Sequence, residues 1–139
     1  MLQIDTSTEF GARVARRLAE EELIWLTTTA KDGTPQPSLV WFLWETGTLL
    51  IFSRPDTPKL RNIARNPRVA LNFNSAADGG DMIVMTGSAT TLESPAAASV
   101  ATYLQKYARG IAALGSEPDT FLQEYRQAIR VVPDRLRGF

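Results

Sequence analysis

Between Leu23 and Ser53 the chain offers three apolar, β-branched segments joined by turns only a few residues long. Leu23–Thr29 and Gln36–Trp44 flank the turn residues Lys31-Asp32-Gly33, and Glu45-Thr46-Gly47 leads into Thr48–Ser53. Parallel neighbours need a crossover of a dozen or more residues, so these segments are expected to pair antiparallel, the first two as a hairpin. Further along, Val69, Leu71 and Phe73 alternate with Ala70, Asn72 and Asn74, the pattern of a strand with one buried face. Met82–Leu92 reads as a long fifth strand interrupted by Gly87, where missing side-chain bulk allows a bulge or the close approach of another backbone or a ligand. Ala128–Val132 is the sixth and last. Six strands with such short early turns predict a mainly β protein, a small closed barrel with helices around it.

The helices have their own punctuation. Thr6 and Glu9 have the spacing of a capping box, and Phe10, Val14 and Leu18 recur every four residues behind it. A second helix is expected from Thr57 to about Arg65, stopped by Asn66-Pro67 because the residue before proline avoids helical dihedrals. Ser94-Pro95 starts a third that carries Tyr103 and Tyr107 and ends near Gly110, and a fourth runs from about Pro118 to Arg126. The second strand is apolar on both faces: Val40, Phe42 and Trp44 on one, Leu39, Trp41 and Leu43 on the other. A barrel interior covers one face only. A peripheral helix or, as the favoured expectation, a homodimer interface covers the other, and the tryptophans are expected to pack rather than to react.

Composition excludes much chemistry. With 139 residues and 44% hydrophobic content the chain is expected to form one domain with its own core. Fifteen basic residues balance fifteen acidic ones, so no global field favours nucleic acid or an anionic membrane surface. There is no cysteine and no histidine, which removes thiolate and imidazole catalysis and the commonest metal ligands; no metal site is expected. The N-terminus lacks the layout of a signal peptide and no apolar run is long enough to span a bilayer, so a cytoplasmic protein is expected.

One stretch has the make-up of an anion cradle. Phe52-Ser53-Arg54-Pro55-Asp56-Thr57-Pro58-Lys59-Leu60-Arg61 takes a strand into a turn and then into a helix with Thr57 at its N-cap and Pro58 in its first turn. Unpaired N–H groups of that first turn, the Ser53 and Thr57 hydroxyls and the Lys59 ammonium suit a phosphorylated ligand. The same residues also describe a plain strand-to-helix connection with cations on a solvated face, and the decision falls to the surrounding segments.

Those segments, taken in order, resemble a known family. The capped first helix, the hairpin with Gly33-Thr34-Pro35-Gln36-Pro37-Ser38, the strand ending Phe52-Ser53, the Thr57-Pro58-Lys59 turn, Asn66-Pro67-Arg68-Val69-Ala70-Leu71 and Gly87-Ser88-Ala89 are together similar to the pyridoxamine-phosphate-oxidase-like split β-barrels. The likeness covers nearly the whole chain and is strongest to the flavin- and deazaflavin-dependent oxidoreductases of that superfamily. It implies a six-stranded, FMN-binding-like split barrel, dimeric, with a flavin-type ring at the dimer interface against Gln36, Pro37, Ser38, Leu39 and Val40. It also implies that the cofactor phosphate lies in the turn after the third strand, at Ser53, Arg54, Thr57 and Lys59, with Arg61 as a further cation. Lys59 is the foremost of these.

The departures bear on activity. Pyridoxamine phosphate oxidases hold their substrate with an arginine-and-histidine element near the C-terminus, and a chain without histidine is not expected to share that activity. Pro133-Asp134-Arg135 matches the start of the FMN enzymes' closing segment, but the residues to Phe139 do not continue it. The resemblance therefore implies an oxidoreductase using coenzyme F420, a deazaflavin, on a small conjugated organic substrate. The alternatives are an FMN-dependent oxidase or reductase, and a carrier that binds deazaflavin without turnover. Solvent, the substrate's surroundings or one of Tyr103, Tyr107 and Tyr125 would supply the proton.

Overall fold

The computed structural model describes residues 2–139. The elements follow one another as α1 (Glu9–Glu20), β1 (Ile24–Thr29), β2 (Pro35–Val40), β3 (Leu43–Glu45), β4 (Thr48–Ser53), α2 (Pro58–Arg65), β5 (Arg68–Asn72), β6 (Ile83–Leu92), α3 (Ala97–Lys106), α4 (Ala108–Ala113), α5 (Pro118–Glu124) and β7 (Gln127–Gly138). The strands form one mixed-length sheet in the order β2-β1-β5-β6-β7-β4-β3, antiparallel at every step. No helix among the described residues is long and apolar enough to cross a membrane.

Among the described residues the strand count is seven, not six, and the barrel is split, as the family resemblance implies, rather than closed as the short turns alone suggest. The expected long second strand breaks at Trp41-Phe42 into β2 and β3, which become the two edges of the sheet. Val40 and Leu43 are three residue steps apart and so lie within about 11 Å, which forces the sheet to curl until its edges face each other. The cause of the break is local. The Phe42 N–H donates to the Tyr107 hydroxyl at 2.8 Å, and the Lys106 ammonium donates to the Phe42 carbonyl at 2.7 Å. Side chains from the helical segment thus take the hydrogen bonds a neighbouring strand would have taken.

Alternation along the strands builds two cores. Leu49, Ile51, Ile129 and Val131 face inward with Ile24, Leu26, Leu71 and Met85, and Val14 and Leu18 of α1 pack onto this set. Leu50 and Ala128 face outward and meet Leu43, Tyr103, Tyr107, Ile111 and Phe121 beneath α3, α4 and α5. The outer apolar face around Trp41 and Leu43 is therefore covered within the chain, leaving Leu39 of that face 45% exposed.

Several local details correct the sequence expectations. Thr8, not Thr6, caps α1, its hydroxyl accepting the Gly11 N–H at 2.9 Å. The helix expected to run to Gly110 is two, α3 and α4, that meet at Tyr107. The last strand does not stop at Val132 but runs to Gly138, pairing with β6 along its length. Gly87 is the close approach its position implied: the pairing slips between Thr86 and Gly87, and a Cβ there would collide with the Val132 carbonyl. Asp134 is the residue left over in the slip, and its carboxylate meets Arg68 at 2.6 and 3.2 Å.

Candidate functional site

A cleft of about 330 Å³ opens on the outside of the barrel beside the split. One wall carries donors, Ser53, Arg54, Thr57 and Lys59, from the end of β4 and the start of α2. The other is aromatic and apolar, with Trp41, Phe52, Tyr103, Leu114, Phe121 and Tyr125. Leu39 and Val40 of β2 complete it. Among the described residues, no carboxylate side chain lines it.

The donor wall is built by an eight-residue helix and the turn before it. Asp56 adopts φ +62°, a left-handed conformation that reverses the chain ahead of Thr57. Thr57 occupies the N-cap but its hydroxyl does not cap the helix; it lies 3.1 Å from the Ser53 hydroxyl, which also donates to the Arg54 carbonyl at 2.8 Å. Leu60 and Arg61 both direct their N–H groups to the Thr57 carbonyl, at 3.1 and 3.3 Å. The first turn therefore presents less open backbone than its sequence implied, since Pro58 has no N–H to give. Lys59 is half-buried, and burial pulls its ammonium below the ordinary lysine value. It makes no salt bridge among the described residues.

The aromatic wall is a stack. Tyr107 and Trp41 lie 4.5 Å apart and nearly parallel, Trp41 and Phe121 5.6 Å apart, and Phe121 and Tyr125 4.6 Å apart. The Arg54 guanidinium ends the column, 5.1 Å from the Tyr125 ring centre and 3.6 Å from Glu124. Burial raises the phenols of Tyr103 and Tyr107, and Tyr107 is committed to the backbone of Phe42 and Glu22. Both are poor sources of a proton near neutral pH.

Of the ten residues singled out for a cofactor, six line this cleft: Leu39, Val40, Ser53, Arg54, Thr57 and Lys59. Gln36, Pro37, Ser38 and Arg61 do not. Gln36 accepts from the Asn62 amide at 2.7 Å, and that same amide donates to Thr28 at 3.0 Å, so Gln36 helps to fix α2 against the hairpin. Ser38 pairs with Leu26 and Pro37 with Thr27 along β2, away from the cleft. Arg61 folds back to donate to the Asp56 carbonyl at 2.6 Å, which braces the turn. Sequence reasoning missed the aromatic wall. The four-residue step from Phe121 to Tyr125 was visible, but nothing local announces that it stacks on Trp41, eighty residues earlier.

The donor set fits the phosphate of a flavin-type cofactor. It joins one desolvated cation without a carboxylate partner to two hydroxyls, beside a wall suited to planar, apolar ligand surface.

The comparisons with known proteins agree with this architecture. An F420 reductase superposes with a TM-score of 0.67 at 26% identity, over 88% of this chain and 94% of that one. HutZ, the heme storage protein from Vibrio cholerae, gives a TM-score of 0.66 at 16% identity over 94% and 95%. A conserved hypothetical protein of Mycobacterium tuberculosis, Rv2991, gives 0.69 at 19% identity over 94% and 82%. The last two show the fold alone. No curated protein has significant sequence similarity to the chain. The model of one family, described as pyridoxamine 5′-phosphate oxidase, matches residues 10–138, from the first turn of α1 to the end of β7, and by that match the chain belongs to this family.

Proposed function

We propose that the protein is an oxidoreductase that binds the deazaflavin coenzyme F420 in the cleft between α2 and α5 and acts on a small conjugated organic molecule. The observation that carries the proposal is the pairing of a desolvated, uncompensated Lys59 with the Ser53 and Thr57 hydroxyls opposite an aromatic wall. The likeness to an F420 reductase supports deazaflavin over FMN. Family membership alone does not distinguish the two. Haem is usually held through histidine or cysteine, and the chain has neither.

When bound, the deazaflavin supplies two-electron hydride chemistry. The chain's own part is to hold and to shield. Lys59 and the two hydroxyls anchor the phosphate, and Trp41, Phe121 and Tyr125 exclude water from one side of the cleft. With Tyr103 and Tyr107 raised by burial, the proton comes from solvent at the cleft mouth or from the hydroxyl of Tyr125, a residue that lines the cleft. Leu39 and Leu114, 45% and 61% exposed, border that mouth, and we assign their cover to the second subunit of a cytoplasmic homodimer.

A titration of the purified protein with F420 and, separately, with FMN tests the assignment. Tighter binding of F420 is expected. Tight binding of FMN with no binding of F420 would replace deazaflavin with FMN on the same site.

A further inference from the structure

The charges around the donor wall are fewer than its sequence advertises. Arg54, Lys59 and Arg61 look like three cations for one anion, yet each stands differently in the fold. Arg61 is turned away to the Asp56 carbonyl and does not line the cleft. Arg54 lines it but sits 3.6 Å from the Glu124 carboxylate, with its guanidinium over Tyr125. Only Lys59 reaches the cleft without a carboxylate beside it. The remaining acidic neighbour in the turn, Asp56, is exposed and outside the lining.

An anion in this cleft therefore meets about one net positive charge. A phosphodiester carries one negative charge, whereas a terminal phosphate monoester carries nearly two at neutral pH, having a second pKa near 6. The second charge of a monoester finds Arg54 already shared with Glu124 and adds repulsion from that carboxylate. Resting on the reading that a phosphorylated flavin-type ligand occupies this cleft, we propose that Glu124, by offsetting Arg54, weakens the site's attraction for a doubly charged phosphate monoester more than for a singly charged phosphodiester, and so shifts its selection toward the diester. Glu124 is then a specificity-determining residue at the C-terminal end of α5, outside the segment that carries the phosphate contacts. The pair is 63% and 55% exposed, so the selection is modest and weakens with salt.

The test uses two ligands with one ring: 5-deazariboflavin 5′-phosphate and its methyl phosphodiester. Each is titrated by fluorescence into the wild-type protein, Glu124→Gln and Arg54→Gln at low ionic strength, with thermal melting to confirm that all three fold. Glu124→Gln frees Arg54 and is expected to shift the affinity ratio toward the monoester by about threefold or more. Arg54→Gln leaves the carboxylate unopposed and is expected to shift the ratio the other way. An unchanged ratio in Glu124→Gln, with both ligands binding, overturns the selection while leaving the cofactor assignment standing. Failure of both ligands to bind the wild-type protein overturns the cofactor assignment and the selection together.

Discussion

Lys59 owes its character to its surroundings. Half-buried, without a salt bridge among the described residues and lining the same cleft as two hydroxyls, it has desolvation as the sole cause of its lowered pKa, and a bound phosphate would oppose that penalty. Lys59→Ala is expected to weaken F420 binding by about 1.5–3 kcal/mol, or roughly one to two decades in Kd, while the melting temperature stays near that of the wild type. Unaltered affinity in that variant would remove Lys59 from the site. Lys106 is the other lysine whose pKa burial lowers, and it has a structural post, donating to the Phe42 carbonyl with its ammonium 3.9 Å from the Phe42 ring centre. Burial brings its pKa down from 10.5 to about 8, against the pull of Glu22 and Glu21. Between those two values the unfolded chain holds more protons than the folded one, so stability rises with pH across that window. Chemical denaturation of wild type and Lys106→Met from pH 7.5 to 10.5 checks this: the variant should lack the rise, and an identical slope in both proteins would assign it elsewhere.

The elements show where local pattern suffices and where it does not. The Thr48–Ser53 strand and the helix after it were legible because a short apolar run, the turn residues after it, and Thr57-Pro58 at the helix start act within a few residues. The break in the second strand was not, because it depends on Tyr107 reaching Phe42 across 65 positions, and the apolar run through Trp41 continues without a turn residue. The same hydroxyl makes a measurable contribution. Tyr107→Phe keeps the Trp41 stack but strands the buried Phe42 N–H, and is expected to cost about 1–3 kcal/mol in urea denaturation. A loss below about 0.5 kcal/mol would mean that another acceptor serves Phe42. The open edge of β2 is also telling. Pro35 and Pro37 occupy alternate positions, and since neither has an N–H, their pairs with Thr29 and Thr27 are the non-hydrogen-bonded ones. The outward edge of β2 is thus short of donors at two successive positions, which blunts strand addition by another chain.

For the molecule as a whole, the two-faced strand first pointed to a dimer because its outer side chains had no visible cover. The fold supplies much of that cover from α3, α4 and α5, whose aromatic residues lie too far along the chain for the strand's own pattern to reveal them. Leu39 and Leu114 stay exposed at the cleft mouth, while Leu23, Val132 and Phe139 are exposed outside its lining. A homodimer of about twice 15.3 kDa is expected by sedimentation at micromolar concentration, and Leu39→Asp with Leu114→Asp should weaken it. A monomer at every concentration would leave each cleft to work alone.

The oxidoreductase assignment itself is tested most directly by anaerobic turnover. Reduced F420 is mixed with an unsaturated carbonyl acceptor and the protein, and the return of the oxidised deazaflavin absorbance is followed against reduction of the acceptor. Matched two-electron oxidation and reduction that needs the wild-type protein, and falls in Lys59→Ala when cofactor is below saturation, is the predicted result. Tight binding of reduced F420 without its oxidation by any of a panel of such acceptors would contradict catalysis and make the protein a deazaflavin carrier.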